Sequence, residues 1–219
     1  MTTDTPTTRS RRSVSPRIVG VVALIALLVA MAMSTTYVSA SAPVPGETQK
    51  FDAAAFGEEN YGSLVKPAIE EDPVELATLV PLLAKDAEAA GEQYGTREGT
   101  SPYTYSVTLT GTAGKPAGGL MPVTVPSIPR STRIAVQVGP AINGTALRDA
   151  TGQISFNDFV NQVEYADAAT ALNTEMKADL LQGLDPASLV GKDVTVVGAT
   201  APLNPEVITV TPVSIEEAP

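Results

Sequence analysis

The chain contains no cysteine, no histidine and no tryptophan, and aromatic residues make up only 5% of its 219 residues. Without cysteine, it has no disulfide, no thiolate nucleophile, no cysteine-ligated zinc and no cysteine for a lipid to modify. Without histidine, it lacks the usual general base and the commonest ligand of transition metals. These absences exclude most enzyme mechanisms, so we expect a protein that is not an enzyme and uses no cofactor or metal.

Basic residues are also scarce, and they are unevenly distributed. The chain has 14 Lys and Arg against 24 Asp and Glu, a formal net charge of −10. Four of the arginines lie in the first 17 residues, which leaves 10 basic residues against 23 acidic ones, a net charge of −13, after them. A negative charge of this size opposes binding to phosphate backbones, so nucleic acid is not an expected partner.

The only long apolar stretch, residues 18–42, contains no charged residue. A basic flank, an apolar segment and the small-residue exit Val38-Ser39-Ala40 are typical of an export signal. The stretch is also long enough to span a bilayer, which needs about 20 residues. Two interpretations remain open: a signal anchor in the cell membrane with an exported C-terminal domain, or a signal peptide whose cleavage leaves a secreted domain.

The composition changes divide the chain into five expected parts. They are a cytoplasmic basic tail, the signal anchor or signal peptide, a linker, a helical N-terminal subdomain and a β domain, at residues 1–17, 18–42, 43–50, 51–100 and 101–219. In the helical subdomain, Asp72 followed by Pro73 and Glu75 predicts a helix N-terminus with Asp72 as the cap. Pro81 predicts a kink or two short helices after it. Four residues at helical spacing should be buried: Leu76, Leu79, Val80 and Leu83.

From Tyr103 the apolar residues alternate with Thr and Ser, which predicts a half-buried strand over 103–110. Further strands are expected over 120–125, 134–138, 193–198 and 207–215. Three strands, a helical insertion and two final strands are the order of a small OB-like Greek-key β-barrel. We therefore predict an α+β fold with a helical insertion between strands three and four. An open α+β sheet with the helix packed on one face is the alternative.

The segment GTALRDATGQISFNDFVNQVEYADAATALN, residues 144–173, contains a look-alike of a calcium loop. Gly152 matches the turn glycine of that loop, but Leu147 and Thr151 occupy two of its ligand positions. The number of ligands therefore argues against calcium. Ser155 and Asp158 instead match a capping box and predict a helix that starts there. The side of this helix expected to be buried carries Phe156, Phe159, Val160 and Val163, with a break near Asp167.

The opposite side of the predicted helix is rich in Asn, Asp and Gln, which are poorer helix formers and fix hydrogen-bond geometry. The candidate contact residues are Arg148, Asp149, Asn157, Asp158, Asn161, Glu164 and Tyr165. They either bind a ligand or partner, or they only pin a loop to the barrel. A small-molecule binder predicts a pocket with a partly buried Arg148, whereas a protein-interaction module predicts a flat exposed face. A carboxylate-dependent hydrolase would need two acids facing each other in a cleft.

Several segments together resemble one family: FDAAAFGEENYGSLVKPAIEE, EQYGTREGTSPYTYSV, ALRDATGQISFNDFVNQVEYADAA, GKDVTVVGA and ITVTPVSIE. The family is that of bacterial predicted periplasmic lipoproteins, domain of unknown function 2291. The resemblance implies an exported, membrane-tethered protein, often encoded beside sugar ABC transporters. It implies no established activity and brings no catalytic residues. Because the chain has no cysteine to lipidate, the lipoprotein part of the description is not transferred, and the apolar helix is the expected tether.

These observations predict a non-enzymatic, membrane-anchored extracytoplasmic accessory or binding protein. Its expected partners are a sugar or the components of a sugar ABC transporter. The transporter association rests on the resemblance and not on residue chemistry. A protein-interaction module without a small-molecule ligand and the carboxylate-dependent hydrolase are the two alternatives.

Overall fold

The structure is a computed structural model that describes residues 24–31 and 50–218. Residues 24–31 are helical and belong to the unit Met1–Lys50, whereas Phe51–Pro219 forms a second compact unit. Most of the expected apolar span at 18–42, the basic tail and nearly all of the linker lie outside the described residues. Within the described parts of the chain, no helix is long and apolar enough to cross a membrane.

The second unit begins with helices, whose bounds are α1 Ala53–Asn60, a π-helical turn Tyr61–Val65, α2 Lys66–Glu71, α3 Leu76–Lys85 and α4 Ala87–Tyr94. The four apolar residues expected on α3 are all buried. Pro81 lies inside α3, and the expected separation into two helices occurs later, at Asp86. The Asp86 side chain accepts a hydrogen bond from the Ala89 amide, so this residue ends one helix and caps the next.

The predicted cap at Asp72 is wrong. Asp72 ends α2, and the next residues form a short strand, β1 Val74–Glu75, that pairs in parallel with Val107 and Thr108. Helix α3 therefore begins only at Leu76. The local capping pattern is overridden because the neighbouring strand offers hydrogen bonds to the backbone of these two residues.

Five strands close into a barrel: β2 Tyr105–Ala113, β3 Leu120–Thr124, β4 Arg133–Gln137, β5 Asp193–Thr200 and β6 Val207–Glu217. Their order is β2-β3-β4-β6-β5, and β5 pairs back onto β2. Only β4 and β6 run parallel among these five, and the other pairs are antiparallel. The sheet therefore closes on itself as a five-stranded mixed barrel, and the open-sheet alternative is wrong.

The helical insertion lies between β4 and β5, which are the third and fourth strands of the barrel and the fourth and fifth of the sheet. The two counts differ by one because the sheet also includes the short strand β1, which the sequence pattern did not predict and which lies outside the barrel. The insertion consists of α5 Ala146–Ala150, a 3₁₀ turn Phe156–Asp158, α6 Gln162–Met176, a π-helical turn Lys177–Leu181 and a 3₁₀ turn Pro186–Leu189. Apolar residues of the insertion and of α1 and α2 form a second core outside the barrel, with Ala199 and Val213 contributed by β5 and β6.

The helix predicted to start at Ser155 is wrong, although its capping box forms. The box begins a single 3₁₀ turn, and α6 starts only at Gln162. The Asn161 side chain accepts hydrogen bonds from the amides of Val163 and Glu164, so it fixes the start of α6. Of the four residues expected to be buried, Phe156, Val160 and Val163 are consequently exposed, the two valines at 71% and 68%. Phe159 is partly buried against the second core. The break expected near Asp167 is also wrong, because α6 continues past it.

The outward-facing residues of β3, β4 and β6 form one surface with two different ends. Alternation along the strands directs residues such as Ile134 and Val136 into the barrel, and their neighbours Arg133 and Gln137 outward. At one end the insertion covers this surface, so Gln137 and Thr211 are buried. At the other end Arg133 remains exposed. We call these the covered end and the uncovered end.

Candidate functional site

The candidate site is built around Arg148, which helix α5 places in a buried position at 5% exposure. Its Nε donates a hydrogen bond to Asp149 Oδ1 over 2.7 Å, and its Nη1 donates to the Tyr165 carbonyl over 2.6 Å. The guanidinium carbon lies 3.3 Å from the centroid of the Tyr165 ring. An ion pair, a carbonyl and an aromatic face thus compensate the burial of this cation.

Asp149 completes the pair and links it to two other segments. Its Oδ2 accepts a hydrogen bond from Thr145 Oγ1 over 2.5 Å, and its backbone carbonyl accepts one from Thr96 Oγ1 over 2.7 Å. The side chain keeps 24% of its surface exposed, against 6% for Arg148. The carboxylate therefore remains within reach of a ligand while the arginine supports it from behind.

Glu98 is a member of the cluster that the sequence analysis missed. It accepts hydrogen bonds from Ser155 Oγ, from the Phe156 amide and from the Tyr165 hydroxyl, at 2.8 to 3.0 Å. The hydrogen bond from Ser155, followed by that from the Phe156 amide, holds the pKa of Glu98 below its usual value. Glu98 lies 57 residues from Ser155 in the sequence, and no local pattern marks it.

Tyr165 joins the two halves of the cluster. Burial raises the pKa of its hydroxyl, while the nearby Arg148 opposes that rise. The hydroxyl therefore stays protonated near neutral pH and donates to Glu98. Its ring also contacts the rings of Phe156 and Phe159 at 5.5 and 5.4 Å between centroids. The ring is thereby held between the guanidinium and two aromatic neighbours.

The other four predicted contact residues do not join this cluster. Asp158 accepts a hydrogen bond from the Ser155 amide, Asn161 caps α6, and Glu164 accepts one from the Val160 amide. Asn157 is exposed, and its side chain makes no hydrogen bond to any described residue. Three of the four polar side chains thus serve the local backbone.

Arg148 and Asp149 line a cavity of about 620 Å³ between the insertion and the covered end. Five hydroxyl and two amide side chains also line it: Ser101, Thr104, Thr145, Thr209 and Thr211, and Gln137 and Asn143. The loops 118–120 and 201–203, which follow β2 and β5, form its rim. We call this the polar cavity.

Two amide side chains hold the loop that borders the polar cavity. Gln137 donates to Thr211 Oγ1 and to the Asn143 carbonyl, over 2.7 and 3.0 Å, and accepts from the Asn143 amide over 2.9 Å. Asn173 on α6 donates to the Gly144 carbonyl over 2.9 Å. The loop is thus fastened both to the barrel and to the insertion, which gives the cavity a preformed wall.

A close contact of two glycines brings the opposite wall into place. Gly119 has a φ of +81°, in the left-handed region that favours glycine. A Cβ on Gly139 would lie 2.4 Å from the Gly119 Cα, so the two loops approach this closely only without side chains.

Within residues 24–31 and 50–218, no group of three or more acidic, His or Cys side chains is placed to hold a metal ion.

Comparison with known proteins identifies the fold and the family. The chain resembles the crystal structure of an OB-fold protein from Thermotoga maritima, with a TM-score of 0.62 and 18% sequence identity over 78% of this chain and 100% of that one. At this identity the likeness shows the fold, and the barrel is an OB-fold. None of the curated proteins is similar enough to count as a match. A family model matches residues 22–216, so the chain belongs to the predicted periplasmic lipoprotein family DUF2291.

Proposed function

We propose that this protein is a non-enzymatic, extracytoplasmic binding protein that takes a small hydroxyl-rich molecule, of the sugar class, into the polar cavity. The observation that carries the proposal is the ion pair of the buried Arg148 with the partly exposed Asp149, in the wall of a cavity that seven hydroxyl or amide side chains also line. A small-molecule binder predicts an arginine of this kind in the wall of a concavity, and a flat interaction face does not.

The donors and acceptors of the pair suit a neutral ligand with several hydroxyls. An arginine has five N–H donors, and the Arg148 Nη2 makes no hydrogen bond to any described residue. The Asp149 carboxylate accepts from Arg148 and Thr145 and retains an exposed portion. Sugar hydroxyls donate and accept at once, so they can use both groups. Because the pair is neutral overall, it gives no reason for a charged ligand.

The position of the polar cavity in the barrel gives further support by analogy. OB-folds bind oligosaccharides and oligonucleotides between the loops that follow the first and fourth barrel strands. Gly118, Gly119, Ala201 and Leu203 of those loops are among the residues that line the polar cavity. The net charge of −10 opposes an oligonucleotide and so favours the saccharide.

Membrane anchoring and service to a transporter are the remaining parts of the proposal. The uncharged stretch at residues 18–42 supports a single-pass anchor, and the absence of cysteine removes thiol lipidation as an alternative. Association with a sugar ABC transporter is supported by the family resemblance. A sugar-binding domain tethered beside such a transporter would hold its ligand at the membrane surface.

The proposal is tested by thermal unfolding of the full chain, in a detergent without a sugar head group, against a panel of monosaccharides and disaccharides. A ligand at a hundred times its dissociation constant adds about 2.7 kcal/mol, which is several degrees for a domain of this size. Asp149→Asn should abolish the shift, and Asp167→Asn, an exposed acid of α6, should not. The absence of a shift with any sugar, or a shift that survives Asp149→Asn, would contradict the proposal.

A protein-interaction module is a second candidate, favoured by the exposed Val160 and Val163 at the start of α6. It is tested by copurification with the membrane subunits of a sugar transporter. Val160→Asp with Val163→Asp should prevent copurification, and Asp167→Asn should leave it unchanged. The hydrolase has no comparable support, because Asp149 is the only acid among the described residues that lines the polar cavity, and Asp158 is engaged in its capping box.

A further inference from the structure

The uncovered end carries a second concavity, a groove of about 710 Å³ over the outward side of β3, β4 and the start of β6. The loop 125–132 contributes several residues to its lining. Most of its lining is aliphatic, from Ala117, Leu120, Pro122, Val125, Ile128, Ala135 and Val207. A mainly apolar concavity of several hundred Å³ with a few polar groups is the usual form of a small-ligand site.

Three cations line the same groove, namely Lys115, Arg130 and Arg133, and no acidic residue in the described part of the chain does. They are three of only ten basic residues in a region that contains 23 acidic ones. Within the described residues, none of the three forms an ion pair or a side-chain hydrogen bond. An acidic protein that gathers unpaired cations around an apolar groove offers a local complement to a negative charge.

The groove lacks what a sugar would need. Among the residues that the structure describes, no aromatic ring lines the groove, and its neutral hydrogen-bonding side chains are three threonines. An alkyl chain needs no hydrogen bonds, because its burial is favourable through the apolar area removed from water.

We propose that this groove binds a single-chain anionic amphiphile, with the alkyl chain against the aliphatic lining and the carboxylate or phosphate head group beside Arg130, Arg133 and Lys115. The groove crosses the three strands β3, β4 and β6, which extend over about 10 Å at about 4.8 Å between neighbouring strands, and its volume of about 710 Å³ accommodates a medium-length chain. The groove and the polar cavity share Leu120 and Thr209 as a common wall. The proposal does not depend on a sugar occupying the polar cavity.

The test uses the full chain in phosphatidylcholine nanodiscs and a decanoate analogue with a photoreactive group on its alkyl chain. Cross-linked residues are mapped by mass spectrometry. The expected adducts lie within residues 115–135 and 207–209. An excess of decanoate should remove them, and decyltrimethylammonium, which has the same chain and the opposite charge, should not. This pair of competitors separates the contribution of the head group from that of the chain.

Variants locate the two parts of the ligand. Arg130→Gln with Arg133→Gln should raise the decanoate concentration needed for half-competition about tenfold, since two partly exposed ion pairs are lost. Lys50→Gln with Lys85→Gln removes two exposed cations outside the groove and should change nothing. Ala135→Phe should fill the groove and remove the adducts. Val207→Glu, at an exposed outward position, serves the same purpose if the phenylalanine variant fails to fold.

Three results would overturn the proposal. Adducts confined to the apolar stretch at residues 18–42 would mean that the probe reacts from the bilayer only. Equal competition by the cationic amphiphile would remove the role of the arginines. Adducts that persist in Ala135→Phe and in Val207→Glu would place the probe outside the groove.

Discussion

The covered and uncovered ends of the outward β3–β4–β6 surface lie on the same strands, yet their side chains are used differently. At the covered end, Gln137 and Thr211 are only 6% and 3% exposed, and they hydrogen-bond each other. At the uncovered end, Arg133 is exposed and has no ion-pair partner among the described residues. Strand alternation directs the side chains of Gln137, Thr211 and Arg133 outward. The first two are buried because the insertion covers their end of the surface.

The difference between the ends follows from the cost of burying polar groups. A polar group removed from water must find a partner inside the protein, so the covered end needs a complete hydrogen-bond network. A solvated cation needs no partner, so the uncovered end can hold unpaired arginines at little cost to folding. Hydrogen-bonding side chains at the covered end therefore contribute to stability whether or not they bind a ligand, whereas the cations at the uncovered end contribute little to it.

The largest effect is expected for Arg148→Ala at the covered end. It leaves Asp149 without its cation and removes the contacts with Tyr165, at a cost of about 3 kcal/mol in the free energy of unfolding. Urea denaturation followed by tyrosine fluorescence measures it. Arg97→Ala is the matched control, because Arg97 also pairs with an acid and stacks on a tyrosine but is exposed. Its loss should be below about 1 kcal/mol, and equal losses would contradict the comparison.

A smaller loss is expected for Gln137→Leu. The substitution keeps the volume but leaves the amide and the carbonyl of Asn143 without their side-chain partner, which costs about 2 kcal/mol. It should also weaken sugar binding, because the cavity wall loses its attachment to the barrel. Gln93→Leu, where an exposed glutamine contacts Tyr94, should change the free energy of unfolding by less than about 0.5 kcal/mol. No difference between the two variants would show that the loop is held by other contacts.

The next effect concerns pH and is tested with Glu98→Gln. Because hydrogen bonds depress the pKa of Glu98 in the folded state, its ionised form contributes stability above the usual glutamate pKa of about 4.3. That contribution is lost as the pH falls through the lower, folded-state pKa. Unfolding measured between pH 7 and pH 3 should therefore depend less steeply on pH in Glu98→Gln than in the wild type. An unchanged profile would mean that the hydrogen bonds to Glu98 do not favour its charge.

The smallest effect is expected at the uncovered end. Arg133→Gln removes an exposed cation without an ion-pair partner, so the free energy of unfolding should change by less than about 0.5 kcal/mol. The same urea titration measures it. A loss comparable with that of Gln137→Leu would show that the uncovered end also carries structural weight, and the distinction between the two ends would fail.

Local patterns predicted the elements with strong periodicity and failed where two local signals competed. The alternation after Tyr103 and the strand order predicted the barrel. The capping box at Ser155 was recognised correctly, yet Asn161, which satisfies two amides, begins the long helix instead. The prediction that Asp72 caps a helix was wrong for a similar reason, because Val74 and Glu75 pair with strand β2, which is distant in sequence. Local sequence rules indicate which residues can cap a helix. They do not show whether a cap is more favourable than a hydrogen bond to a distant strand.

The sequence by itself determined which chemical groups the chain has: no thiol, no imidazole and a net negative charge. It also showed the uncharged apolar stretch at residues 18–42. It also marked Arg148, Asp149 and Tyr165, which the fold brings together. Only the tertiary structure decided that Glu98 joins them. The reason is that Glu98 lies 57 residues from Ser155, its hydrogen-bond donor, and no periodicity or spacing in the sequence records a contact between segments so far apart.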